Sequence, residues 1–155
     1  MRIALFQPDI PQNTGSVMRL GACLGLGVDI IEPCGFLMDD KHLRRAGMDY
    51  MDLAAVTRHR SWEAFLAAKG DARLVLATTR GSTPLPDFSF CADDIILMGR
   101  ESSGVPDPVH DRADARVIIP MRAGARSLNM AMSAAIIAAE GLRQIGGYPA
   151  LAVQG

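Results

Sequence analysis

Short apolar runs alternate with longer stretches of helical periodicity along the chain. The runs end at proline, glycine or polar residues and predict strands at 2–6, 28–31, 51–57, 73–79, 94–98 and 116–119. The longer stretches predict helices at 14–26, 41–46, 61–69 and 127–145. Asn13 or Thr14 is a candidate N-cap of the first helix, and Ser127 of the last. Apolar strands alternating with helices predict a single α/β domain over residues 1–155, with a mostly parallel sheet covered by helices on both faces.

The last predicted helix is apolar almost all the way round. Leu128, Met132 and Ile136 belong to one apolar face, while Ala134 and Ile137 belong to the opposite one. A helix of this kind is buried on two sides. Either a thick internal core or a partner subunit covers the second side, and in a domain this small the pattern favours a homodimer.

Composition narrows the classes of function. The 155 residues include 16 Lys and Arg against 17 Asp and Glu, for a net charge of −1, which excludes a generally basic nucleic-acid-binding surface but not local basic patches. No apolar run is long enough to span a membrane. The scattered cysteines and histidines lack metal-ligand spacing, which predicts reduced thiols, no metal site and a cytoplasmic location. These residues are Cys23, Cys34, Cys91, His42, His59 and His110.

Three loops rich in Gly, Ser, Asn and Arg each follow a predicted strand. They span residues 8–16, 99–106 and 120–129. Ligands of parallel α/β sheets bind at the carboxyl ends of the strands, so these loops are candidates for one shared site. The alternative is that each is an ordinary strand-to-helix turn.

Taken together, the loops resemble the three motifs of the SPOUT class of RNA methyltransferases, specifically the SpoU-type 2'-O-ribose enzymes. The sequence NTG at 13–15, followed by Arg19, resembles the first motif. Residues 98–104, with a G-x-E-x-x-G core, resemble the second. The sequence IPM at 119–121, followed by SLN at 127–129, resembles the third.

Further segments resemble the minimal bacterial members of this class, which methylate the wobble nucleotide (cytidine or modified uridine 34) of tRNA. These segments are 31–33, 39–41, 43–50 and 55–59. Arg100 departs from the pattern, since a close relative has proline there. The resemblance covers essentially the whole chain. It implies a C-terminal trefoil knot, a homodimer, and S-adenosyl-L-methionine bound within the knot.

The resemblance also implies roles for particular residues. Arg19 is the expected catalytic residue, with Asn13 and Asn129 orienting it and the ribose. It acts on the developing oxyanion, as a clamp on the neighbouring phosphate, or as a base assisted by that phosphate; the first two suit arginine better, because arginine hardly deprotonates in proteins. The expected cofactor-binding residues are Ala77, Gly99, Glu101, Gly104, Ile119, Met121, Ser127 and Leu128. The reaction needs no metal, since a sulfonium is already a good leaving group.

Local basic clusters are candidates for binding the tRNA anticodon arm, although charged runs are often only solvated faces. The first cluster is Lys41, His42, Arg44 and Arg45, and the second is Arg58, His59 and Arg60. Arg122 and Arg126 flank the third loop. Tyr148 either borders the site or is a packed aromatic.

Other functions remain open. The glycines at 21–27 make a nicotinamide-binding oxidoreductase one alternative. However, they lie in and after a predicted helix, whereas the dinucleotide fingerprint follows a strand and opens a helix, and their spacing does not match it. A 2'-O-methyltransferase for another tRNA or rRNA position, or a non-catalytic RNA-binding module of the same fold, also fits the sequence. Affinity for S-adenosylmethionine separates the last of these.

Overall fold

The computed structural model describes residues 1–38, 55–80 and 83–151. The strands are β1 (Arg2–Phe6), β2 (Gly27–Ile31), β3 (Val56–His59), β4 (Leu74–Ala77), β5 (Thr83–Pro84), β6 (Ile95–Met98) and β7 (Ala115–Ile118). The helices are α1 (Pro11–Leu24), α2 (Trp62–Lys69), α3 (Asp107–Asp111) and α4 (Met130–Ile145), and a 3-10 turn covers Leu85–Asp87.

The described strands form one sheet in the order β3-β2-β1-β6-β4-β7-β5, and every pairing is parallel. At the centre, Leu5 lies opposite Ile30 on one side and Met98 on the other. All carboxyl ends therefore meet at one edge of the sheet. The predicted parallel α/β architecture is confirmed.

Apolar cores fill both faces of the sheet. On one face, Val17 of α1 and Ile137 of α4 pack in a cluster with Leu5. On the other face, Phe65 of α2 packs in a cluster with Phe6. The prediction of helices on both faces is confirmed. The trefoil knot stays a prediction, because strand order alone does not trace how the chain threads.

The first helix begins three residues earlier than predicted, at Pro11. Asn13 and Thr14 are buried within its first turn, so the prediction that one of them is the N-cap is wrong; Ile10 occupies that position. Proline suits the first helical turn, because its φ is already helical and its missing N–H would have had no helical partner. The early start points Asn13 toward the neighbouring loops.

The last helix begins later than predicted, at Met130. Asn129 is its N-cap, since the side-chain oxygen accepts hydrogen bonds from Ala131 N and Met132 N, and the prediction of Ser127 as the cap is wrong. Among the described residues, those of α4 that are buried lie on one side of the helix. On the other side, Met132 is 59% exposed and Ile136 is 39% exposed.

Several shorter elements depart from the sequence pattern. The strand predicted at 51–57 falls partly outside the described residues, and β3 runs over Val56–His59 instead. The helix predicted at 41–46 lies outside the described residues. The two-residue β5 and five-residue α3 went unpredicted, since elements this short show no periodicity. Within the described ranges, no helix is long and apolar enough to cross a membrane.

Candidate active site

A cavity of about 910 Å³ opens at the carboxyl ends of β4, β6 and β7. Its floor is apolar and includes Leu76, Met98 and Ile137. Its walls come from all three loops singled out in the sequence. Both the position and the size are typical of small-molecule sites in parallel α/β proteins.

The predicted cofactor residues all line this one cavity. They are Ala77, Gly99, Glu101, Gly104, Ile119, Met121, Ser127 and Leu128. Asn13 and Asn129 line it too. The sequence therefore identified residues that the fold brings together, while their binding of a cofactor stays a prediction.

A chain of hydrogen bonds joins the three loops. Asn129 Nδ2 donates to Asn13 Oδ1 over 2.8 Å, and Asn13 Nδ2 donates to Glu101 Oε1 over 3.1 Å. Glu101 Oε2 also accepts from the backbone N–H of Asp9 over 2.8 Å. Both carboxylate oxygens of Glu101 are thus engaged within the protein, which makes this residue an organiser of the cavity wall.

The loop after β6 is folded tightly on itself. Arg100 N donates to Gly104 O over 2.9 Å, and Gly104 N donates back to Arg100 O over 2.8 Å. A Cβ on Gly99 would lie 2.7 Å from the backbone of Gly104, so only glycine permits this approach. Gly104 adopts a φ of +67°, which also favours glycine.

Asp9 holds the same loop from outside. Its Oδ1 accepts from Arg100 Nε over 3.1 Å and from Arg100 Nη2 over 2.5 Å. Its Oδ2 accepts from Ser102 N over 3.2 Å and from the Ser102 hydroxyl. Hydrogen bonds from the Arg100 guanidinium and from Ser102 lower the pKa of Asp9 to about 2. Arg100 is therefore part of an ion pair with Asp9.

Arg19 lies apart from the other predicted catalytic residues. It is exposed on α1 and is not among the described residues that line the cavity. Asn13 and Asn129 come together at the cavity, whereas Arg19 is absent from the part of its lining that the structure describes.

The basic clusters have different surroundings. Arg58 is exposed and pairs with Glu32, and Arg60 is exposed. His59 is buried at 7% exposure, and its Nε2 lies 2.7 Å from Asp29 Oδ1. The prediction that His59 is a surface contact for RNA is therefore wrong: at the end of β3 its side chain turns inward, toward Asp29 of β2 and the ring of Phe65 of α2.

The remaining candidates lie at the surface. Arg122 and Arg126 are exposed on the third loop, beside the cavity. The cluster of Lys41, His42, Arg44 and Arg45 lies outside the described residues. Tyr148 is not among the described cavity-lining residues; it borders a groove on the outer side of α4, and its hydroxyl donates to Ala139 O over 3.1 Å. The described residues contain no group of His, Cys, Asp and Glu that could hold a metal ion.

Sequence reasoning missed some residues at the cavity. Arg80 and Asp107 both line it, and Arg80 Nη2 lies 3.2 Å from Asp107 Oδ1 in an ion pair. Asp9 stands outside the lining yet holds Arg100 and Ser102. The position of Asp9 directly after β1 and Pro8 could have signalled a site residue, because loops at the carboxyl edge carry function.

The fold and the site define the class of protein: a parallel α/β domain in which three motif loops enclose one cavity at the carboxyl edge of the sheet. The chain belongs to the SpoU rRNA methylase family, whose profile matches residues 1–139.

Particular relatives share nearly the whole chain. A tRNA (cytidine(34)-2'-O)-methyltransferase from Beijerinckia indica subsp. indica is 57% identical over 146 residues, covering 93% of this chain and 91% of the relative. A protein of the same name from Escherichia coli strain K12 is 41% identical, covering 96% of both chains.

Solved structures are also similar. One, described as concerning 2-OH methylation of C/U34 on tRNA, superimposes with a TM-score of 0.89 at 39% identity and covers 94% of this chain and 96% of its own. The SpoU methyltransferase AviRb from Streptomyces viridochromogenes, in complex with AdoMet, gives a TM-score of 0.79 at 28% identity. That match covers 93% of this chain and 60% of AviRb.

Proposed function

We propose that this protein transfers a methyl group from S-adenosylmethionine to the ribose 2'-hydroxyl of nucleotide 34, cytidine or modified uridine, in tRNA. The observation that carries the proposal is that hydrogen bonds among Asn13, Glu101 and Asn129 join the three motif loops around one cavity. Relatives that match more than nine-tenths of the chain, and are named for this reaction, support the choice of substrate.

The cavity fits S-adenosylmethionine in size and chemistry. Its volume of about 910 Å³ lies within the range of small-molecule sites, roughly 300–1,000 Å³, and the apolar floor suits an adenine ring. Loop 99–104 presents backbone N–H and C=O groups beside glycines, which lets a ligand approach the main chain closely. Ala77, Gly99, Gly104, Ile119, Met121, Ser127 and Leu128 would hold the cofactor.

When bound, S-adenosylmethionine supplies a methyl group that its sulfonium has already activated. The protein must hold the ribose hydroxyl in line with that methyl and stabilise negative charge on its oxygen while the hydroxyl proton leaves to solvent. Asn13 and Asn129 form part of the rigid wall that positions the reactants. Arg19 would donate hydrogen bonds to the developing oxyanion or to the adjacent phosphate, because arginine remains a cation in proteins.

The proposed active form is a homodimer. Two features support it: the apolar outer side of α4, which exposes Met132 and Ile136, and the location of Arg19 away from the described lining of its own cavity. A second copy packed on this side would cover the apolar residues and could bring its own Arg19 to the site. The anticodon arm would then contact both copies.

Exposed arginines supply candidate phosphate contacts on such a surface. Arg122 and Arg126 are on the third loop. Arg58 is in β3, and Arg60 lies just after it. Because phosphate contacts release counterions, tRNA affinity should fall between low and physiological salt. Cys23, Cys34 and Cys91 are all free thiols, which suits the reducing cytoplasm where we place the activity.

The test uses an anticodon stem-loop RNA with a ribose or a 2'-deoxyribose at position 34 only. We expect label from methyl-labelled S-adenosylmethionine to enter the first RNA and not the second. A 2'-deoxy substitution at position 32 serves as the matched control and should leave methylation intact. Continued methylation of the RNA lacking the 34 hydroxyl would contradict the proposal and indicate another acceptor position.

A further inference from the structure

Two loops far apart in sequence are hydrogen-bonded to each other beside the cavity, and each loop donates to the other. The Asp9 carboxylate accepts four hydrogen bonds from Arg100 and Ser102, two on each oxygen. In the opposite direction, the Glu101 carboxylate accepts from the backbone N–H of Asp9. We name Asp9, Arg100 and Ser102 the loop clamp. Because Arg100 and Asp9 carry opposite charges in a forked geometry, this contact is strong and directional.

Neighbouring residues support the clamp. Gln7 Oε1 accepts from Arg100 Nη1 over 3.3 Å. Gly35 N donates to Pro8 O over 2.9 Å, and a Cβ on Gly35 would lie only 2.9 Å from Asp9 Oδ1. The carboxylate thus sits where the glycine leaves room for it and where three separate segments converge.

Two of the three residues of the loop clamp belong to the cavity wall. Arg100 and Ser102 line the cavity, whereas Asp9 is not among the described lining residues. Glu101 lies between Arg100 and Ser102 in the loop and accepts a hydrogen bond from Asn13. Asn13 in turn accepts a hydrogen bond from Asn129 at the start of α4. A shift of the loop would therefore move the hydrogen-bonded wall as well.

We propose that Asp9 is a positioning residue: through Arg100 and Ser102 it holds loop 99–104, and with it the Glu101–Asn13–Asn129 chain of hydrogen bonds, in the geometry that binds S-adenosylmethionine. This inference rests on the proposed function for the identity of the ligand. It assigns to Asp9 a role in ligand affinity without direct contact.

The first measurement is amide hydrogen exchange on the free protein, comparing wild type with Asp9→Asn. The informative amides are those of Arg100, Gly104, Ala131 and Met132, since none of them donates to Asp9. We expect all four to lose protection in the variant while the amides of β1 and β6 keep theirs. Unchanged protection at all four would overturn the proposal whether or not the protein binds the cofactor.

The second measurement is calorimetric titration with S-adenosylmethionine. Asp9→Asn and Arg100→Gln should each weaken binding by roughly tenfold or more, as expected for loss of charged hydrogen bonds. The double variant should be little worse than either single one, because both remove the same contact. Ser102→Ala, which removes only one hydroxyl, should fall between these and wild type, and it keeps the test available if Asp9→Asn folds poorly.

The matched control is a second Arg–Asp pair with two hydrogen bonds, which lies at the amino ends of the strands, opposite the cavity. Arg73 donates to both oxygens of the fully buried Asp94, over 2.7 Å in each case. Asp94→Asn should lower thermal stability and leave the affinity of the folded protein unchanged. Asp9→Asn binding within twofold of wild type would refute the positioning role, whereas failure of wild type itself to bind would refute the proposed function and leave the exchange result to decide the clamp.

Discussion

Arg19 is the predicted catalytic residue that lies outside the described lining of the cavity. It is exposed on α1, while Asn13 on the same helix lies within the cavity wall. Arginine remains a cation in proteins, so in the proposed homodimer Arg19 would stabilise an oxyanion or hold a phosphate at the site of the partner copy. Its contribution should therefore be confined to methyl transfer and absent from cofactor binding.

Replacing Arg19 with alanine tests this separation. We expect the rate of methyl transfer to fall by about 100-fold or more, as for other losses of oxyanion stabilisation, with unchanged affinity for S-adenosylmethionine. Single-turnover kinetics and calorimetry measure the two quantities. Arg112→Ala, at another exposed arginine, is the control and should behave as wild type. Near-normal turnover in the Arg19 variant would exclude it from catalysis.

The low pKa of Asp9 predicts where the loop clamp fails with pH. Its folded-state pKa of about 2 lies below the usual 3.8, so ionised Asp9 favours the folded protein above about pH 3.8 and ceases to do so as pH falls toward 2. The difference in unfolding free energy between wild type and Asp9→Asn should stay constant from pH 7 to 5 and shrink only below about 3.8. Denaturant titrations at several pH values measure it. Loss of the difference between pH 6 and 5 would contradict this origin.

The start of α4 shows how an element and a site share one side chain. Asn129 Oδ1 caps the helix by accepting from Ala131 N and Met132 N, while its Nδ2 donates to Asn13. The carboxylate of Glu101 fixes the direction of this chain, because it can only accept. Asn13 must therefore donate to Glu101 and accept from Asn129.

Two substitutions of Asn129 separate these roles. Asn129→Asp keeps an acceptor for the helix cap but loses the donor, so methyl transfer should fall while thermal stability holds. Asn129→Ala loses both and should also cost about 1 kcal/mol of unfolding free energy. Thermal denaturation and initial rates measure the effects. Full activity of the aspartate variant would show that the link to Asn13 is unnecessary.

The elements also show how far sequence reasoning reaches. The longer strands and helices were predicted because apolar periodicity is local, and the three loops were placed together because parallel strands end at one edge. The start of α1 at Pro11 lies before the first residue of the apolar periodicity, which is why that pattern does not reveal it. Ser127 and Asn129 are both residue types that cap helices, so residue type alone does not identify Asn129 as the cap of α4. The Asp9–Arg100 pair spans 91 positions, and no local pattern encodes such a contact.

At the scale of the whole molecule, the outer side of α4 is the feature that the isolated chain leaves unexplained. Met132 and Ile136 are exposed one helical turn apart, and Leu128 is 36% exposed at the rim of the cavity. An active site completed by a second copy of the chain would require the apolar side of α4 to reach the cavity. The proposed homodimer joins these facts with the position of Arg19.

Introducing a carboxylate on this side should break the proposed homodimer. Ile136→Glu would bury an unpaired charge at the interface, so we expect monomers in analytical ultracentrifugation and a large loss of methyl transfer. Ala68→Glu places the same charge on an exposed position of α2 and should leave both properties unchanged. An Ile136→Glu protein that stays dimeric and active would place the interface elsewhere.

The most direct test of the central claim combines purified protein, labelled S-adenosylmethionine and total tRNA lacking the wobble methylation, followed by digestion and nucleoside mass spectrometry. We predict label in a 2'-O-methylated nucleoside that fragment mapping assigns to position 34. Label confined to another nucleotide, or the absence of label despite cofactor binding to the protein, would contradict the account.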